Sequence, residues 1–223
     1  MTQAIANKLE RARLILSAAQ GDPELAARLA QVGYDAAALQ AGQALYEASG
    51  GARTAAHAAH GDQLGATETV ETLRRRVEAN HTTLAQIART AFAGDADALA
   101  TLGLAQAAGR RSRSQATFLD RARVLYDAAL ADPALQAALA QVGYPASRLQ
   151  AERADVRALE AADVTQEQRK AEAKARVAAQ RAALAQLDDW LARFTGLAVP
   201  ALRDRPDLLG QLGLKPRGGP RRA

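Results

Sequence analysis

One phrase occurs twice in this chain. DPELAARLAQVGYDAAALQ begins at Asp22, and DPALQAALAQVGYPASRLQ begins at Asp132, 110 residues later. Aligning Leu9–Ala41 with Leu119–Ala151 needs no gap and gives 20 identities in 33 positions. The same offset pairs Val77 with Leu187, Leu84 with Phe194, Ile87 with Leu197, and Leu102-Gly103-Leu104 with Leu212-Gly213-Leu214. Only residues 43–76 against 153–186 have lost visible similarity. A repeat at fixed spacing restricts the fold more than any single motif, because each copy must close the same supersecondary unit. The expectation is an all-α, internally duplicated, pseudo-twofold helical bundle. Its units are 1–110 and 111–214, packed as one body, followed by a basic tail at 215–223.

The repeated residues are helix punctuation. Asp22 is a good N-cap and Pro23 a good first helical residue, since its missing N–H would have no helical partner anyway. Gly33 can take the left-handed conformation just past a helix end. With Val32 as C-cap, Leu29 and Tyr34 hold the two positions whose apolar contact accompanies a Schellman motif, and Leu139, Gly143 and Tyr144 repeat the pattern. Asp35 or Pro145 then starts the next helix. Short helices ended by Gly103 and Gly213 recur later in each copy.

Between these corners lie two long helical stretches, 36–92 and 146–203. A single helix over the first would be about 85 Å long at ~1.5 Å per residue. Gly50-Gly51 in one copy and Thr165-Gln-Glu-Gln168, which resembles a capping box, in the other favour an antiparallel turn near 50–54 and 160–165. Continuous helices are the alternative. Val177, Leu184, Leu187, Leu191 and Phe194 form a core stripe at helical spacing, with Trp190 half-buried at its margin. Gln166–Arg176 reads as a solvated helix segment.

Composition narrows the functional classes. Hydrophobic residues make up 48% but aromatics only 4%, so the core is built of Ala and Leu, both strong helix formers. The absence of cysteine excludes disulfides, thiolate metal sites and a cysteine nucleophile. No apolar run approaches a membrane span and no signal-peptide core is visible, so the expected location is the cytoplasm, away from membranes. The net charge of +5 is concentrated in GRRSRS (Arg110, Arg111, Arg113) and in KPRGGPRRA (Lys215, Arg217, Arg221, Arg222). The remainder carries about −2.

Three histidines are the candidate metal or haem ligands. His57 and His60 are spaced i,i+3 and share a helix face, and His81 could join them from a neighbouring turn. Against this, exposed histidines are the common outcome, and the other copy has Glu167 and Lys170 in place of the pair. Glu78-Ala-Asn-His81 is a Glu-x-x-His, with Glu68 and Glu71 on the same stretch. A di-iron bundle needs a second such motif, and the matching residues are Asp188 and Leu191. Asp188-Asp189 point about 100° apart on a helix and do not form a dyad. No phosphate-binding loop, dinucleotide fingerprint or nucleophile elbow is present. The basic segments could attract phosphate weakly and without sequence preference, since no aromatic side chains are interleaved for base stacking.

The repeated phrase, with its Ala-Arg-x-Leu/Val opening, Asp-Pro, Leu-x-x-x-Leu, Val-Gly-Tyr and Leu-Gln-Ala, resembles a group of bacterial proteins built from two duplicated all-helical units, to which no function is assigned. The resemblance covers both copies outside their centres and implies architecture alone: no activity, cofactor or site residue follows from it. The glycines and histidines in the middle of the first copy depart from the smoother helix of that pattern.

The leading reading is a non-enzymatic interaction or scaffold protein without a cofactor, pairing with itself or with a partner's helices. One alternative is a metal- or haem-binding bundle using His57, His60 and His81. Another is weak nucleic-acid association through the arginine-rich linker and tail.

Overall fold

The computed structural model describes residues 2–105 and 114–214. They form eight helices and no strand: α1 (Thr2–Gly21), α2 (Pro23–Ala30), α3 (Ala36–Ala91), α4 (Ala96–Thr101), α5 (Gln115–Ala131), α6 (Pro133–Gln141), α7 (Ala146–Ala201) and α8 (Pro206–Gln211). The chain is an all-α bundle of two long helices and short helices ended by glycine.

The corners form as their residues dictate. Asp22 accepts from the backbone N–H groups of Glu24 and Leu25, and Asp132 does the same for Ala134 and Leu135. At the far end of α2, Gly33 has φ +88°, its N–H reaches the Ala30 carbonyl and the Tyr34 N–H reaches the Leu29 carbonyl at 2.9 Å. That pair of bonds is a Schellman motif, and Gly143-Tyr144, Gly103-Leu104 and Gly213-Leu214 repeat it. The expected cap at Asp35 is present, and Asp95 caps α4 in the same way, each on the N–H three residues on.

The expected turns near 50–54 and 160–165 are absent: α3 and α7 each run uninterrupted for 56 residues. A helical glycine costs roughly 1 kcal/mol relative to Ala, which weakens a helix without stopping one that is packed along its length. Around the glycine pair, Ser49, Ala56 and Ala59 are all buried, and the Ser49 hydroxyl donates to the Ala183 carbonyl. Thr165 does not cap a helix. Its hydroxyl donates back to the Ala161 carbonyl one turn earlier, the bond a threonine makes inside a helix.

The compact units divide the chain differently from the sequence copies. One comprises residues 1–60 with 172–223, the other 61–171. Each joins the front of one copy to the back of the other. Within the first, α3 and α7 run antiparallel, with Gly42 against Trp190 and Ser49 against Ala183. Within the second they are antiparallel in the same register: Arg76 pairs with Asp155, Thr67 bonds Gln166, and Asp62 pairs with Arg169.

Each unit has its own core. In the first, Ala12, Ile15, Leu16 and Ala19 of α1 and Leu25 and Leu29 of α2 meet Leu187, Leu191, Phe194 and Ala198 of α7 and Leu209 of α8. In the second, Ala122, Leu125, Tyr126 and Ala129 of α5 and Leu135 and Leu139 of α6 meet Val77, Leu84 and Ala88 of α3 and Leu102 after α4. Two expectations for α7 are corrected. Trp190 is core, 8% exposed, because Gly42 leaves a notch that its indole fills. Val177 is 37% exposed and belongs to neither hydrophobic cluster.

Candidate functional site

A buried carboxylate is the most developed polar feature of the second unit. Glu152, on α7, is almost wholly enclosed. One of its oxygens accepts from the phenol of Tyr126, on α5, at 2.9 Å and from the phenol of Tyr144, at the glycine corner. The other accepts from Nε of Arg148 one turn earlier, 3.0 Å away, and the Arg148 guanidinium lies 4.0 Å from the Tyr144 ring centroid. Burial, and then the bond to Glu152, pushes both phenols well above their ordinary range. The hydroxyls therefore stay protonated donors, which holds the corner to α5 and α7 rather than poising a proton for transfer. Next to this group, Arg153 makes a two-pronged pair with Asp127 while its remaining terminal nitrogen is buried without a partner.

The first unit has no such carboxylate. The residues at the equivalent positions are Leu16, Tyr34, Ala38 and Gly42, and Trp190 occupies the space. Tyr34, Trp190 and Phe194 form an aromatic cluster there, Tyr34 edge-on to both partners at 5.7 and 4.9 Å. Sequence reasoning did not single out Glu152. The signal that marks it is the set of unlike residues, Leu16 against Tyr126, Ala38 against Arg148 and Gly42 against Glu152, inside a phrase that otherwise repeats.

The histidines are not gathered into one site. His57 and His60 are exposed on α3 in the first unit. His81, about six turns further along that helix at 3.6 residues per turn, belongs to the second unit and packs edge-on to Phe118 with ring centroids 5.6 Å apart. Burial, followed by the charges of Arg89 and Arg121, lowers the imidazole's pKa and favours its neutral form. Glu78, the carboxylate of the Glu-x-x-His, is paired with Arg74 at 2.8 Å. Among the described residues no three His, Asp or Glu side chains converge as a metal site. Asp188 pairs with Lys8 across α1 and α7. The basic candidates Arg110, Arg111, Arg113, Lys215, Arg217, Arg221 and Arg222 lie outside the described residues.

The middle turns of the long helices remain. No residue from 47 to 69 of α3 or from 163 to 186 of α7 belongs to either hydrophobic cluster. In this stretch α3 exposes His57, His60, Leu64, Glu68 and Thr69, and α7 exposes Val164 and Val177. No helix among the described residues is long and apolar enough to cross a membrane.

Comparison with protein-family models, curated proteins and solved structures finds no match to this chain.

Proposed function

We propose that this chain is a non-enzymatic helical scaffold that presents the middle turns of its long helices to other proteins. One observation carries the reading: in each unit the hydrophobic cluster leaves out the inner turns of the long helices, and these turns, though partly packed on one another, carry exposed apolar side chains, Leu64 and Val164 in one unit and Val177 in the other. Helix faces of this kind bind by laying one helix along another. The enclosed polar groups support the same reading, since Glu152, Tyr126, Tyr144 and Arg153 each tie one element to the next.

The test is a photo-crosslinking side chain at position 64, activated in the cells that produce the protein. Discrete protein adducts at that position, and none from the buried position 84, are expected. Recovery of uncrosslinked chain alone would overturn the reading.

A further inference from the structure

In the second unit α5 begins on few contacts. Its first fully buried residue is Ala122, about two turns in. Ahead of that, the Gln115 amide donates to Asp163 of α7 at 2.8 Å, and Phe118 and Leu119 pack, partly buried, on the core of the unit. A segment with so few buried contacts opens more easily than the unit as a whole. What Phe118 rests against therefore matters, and on the α3 side it meets His81, with ring centroids 5.6 Å apart.

The His81 imidazole is half-buried and makes no hydrogen bond or ion pair among the described residues. The charges around it are one-sided. On α3, Glu78 stands one turn back but is held by Arg74, and Arg89 stands two turns on. On α5, Arg121 follows Phe118 by three residues, and Asp120 is paired with Arg123. Each of these carboxylates is engaged, while the guanidiniums of Arg89 and Arg121 repel an imidazolium. The attraction of a cation for the Phe118 ring acts the other way. Burial, followed by the two arginines, prevails over it and lowers the imidazole's pKa. The first unit is built differently at this place: Lys8 and Leu191 stand at the positions of Phe118 and His81, and Lys8 pairs with Asp188.

We propose that His81 is an acid-sensitive latch on the start of α5. While neutral, the imidazole lets Phe118 and the first two turns lie against α3. Once it takes a proton, contact with water and distance from Arg89 and Arg121 are favoured, and these turns lift away. The opened form binds the proton more readily than the closed one, so acid favours opening from about pH 6.5 downward. The opening stops at Ala122, because Ala122, Leu125, Tyr126 and Ala129 are held in the core. The latch does not depend on the scaffold reading.

Proton NMR of the imidazoles and amide hydrogen exchange, both on the full chain, test the latch. His81 should titrate below His57 and His60, which are exposed and serve as references in the same molecule. Between about pH 7.5 and pH 5 the protection factors of residues 118–121 should fall at least about threefold, while those of Leu125 and Leu139 hold. His81→Leu, which places the residue of the other unit here, should keep the protection and remove its pH dependence. Arg121→Gln should move the His81 midpoint upward. A His81 midpoint at or above those of His57 and His60, or one unmoved in Arg121→Gln, would overturn the proposal. So would unchanged protection at the start of α5, or a pH dependence that survives in His81→Leu.

Discussion

Trp190 fills a notch made by Gly42: a methyl group on that glycine would sit 2.3 Å from the indole Cζ2. Two effects oppose each other at this position. Alanine is favoured over glycine inside a helix by roughly 1 kcal/mol, while overpacking a core costs about 1–3 kcal/mol. The contact lies under 3.0 Å and Trp190 is held by Tyr34 and Phe194, so sterics prevail. Gly42→Ala should destabilise the protein by about 1–2 kcal/mol in urea unfolding. In a Trp190→Leu background the same change should be neutral or stabilising.

The Glu152 network gives the second unit a different vulnerability. Glu152→Leu leaves two buried phenols without their acceptor, and hydrogen bonds to charged groups contribute about 1.5–3 kcal/mol each. A loss of about 2–4 kcal/mol is expected. Tyr126→Phe on top of Glu152→Leu should restore part of it, because the stranded donor is then removed. Equal losses in both backgrounds, measured as a double-mutant cycle, would show that the bond contributes nothing.

Arg153 and Asp127 should respond unequally. The Arg153 side chain is 9% exposed and one of its nitrogens has no partner, whereas Asp127 is about half exposed. Removing Asp127 strands a buried cation, and Asp127→Ala should destabilise by about 2 kcal/mol, below the 3–5 kcal/mol of fully buried pairs because water reaches the carboxylate side. Arg153→Met removes the buried charge and its unpaired nitrogen together. It should be neutral or stabilising in thermal unfolding.

Acid should weaken the fold through carboxylates held below their ordinary range. The Arg205 guanidinium, hydrogen-bonded to Asp207, lowers that carboxyl to about 2. Arg28 lowers Asp204, the Leu25 N–H lowers Asp22, and Arg153 lowers Asp127. A carboxyl lowered in the folded state stabilises fully above its unfolded value, about 3.9, and loses that contribution as pH falls toward the folded value. The melting temperature should therefore be flat near neutrality and fall between about pH 4 and pH 2, less steeply in Asp207→Asn.

How much of this could be read in the residues depends on how far apart the deciding partners lie. Asp22-Pro23 and Leu29…Gly33-Tyr34 were legible because capping is settled within a few residues, and both corners form as the spacing implies. The expected break at Gly50-Gly51 failed because α3 is packed there against α7, where buried Ser49 meets Ala183, a partner far off in sequence. Trp190 was misplaced for the same reason: its burial is decided by Gly42, visible only once the antiparallel register is known. The repeat itself held a clue, since Gly42 and Trp190 align with Glu152 and Asn80, so a small–large pair in one unit stands where the other unit has large–small.

That continuity is the most direct thing to measure. Spin labels at Ala44→Cys and Thr72→Cys, both exposed and in a chain free of cysteine, flank the glycine pair. With unlabelled protein added to suppress contacts between copies, pulsed electron–electron resonance should give one narrow distribution at about 42 Å, the rise of 28 helical residues. A population below about 25 Å, as expected for a chain folding back at residues 50–54, would contradict a continuous α3 and the interaction face built on it.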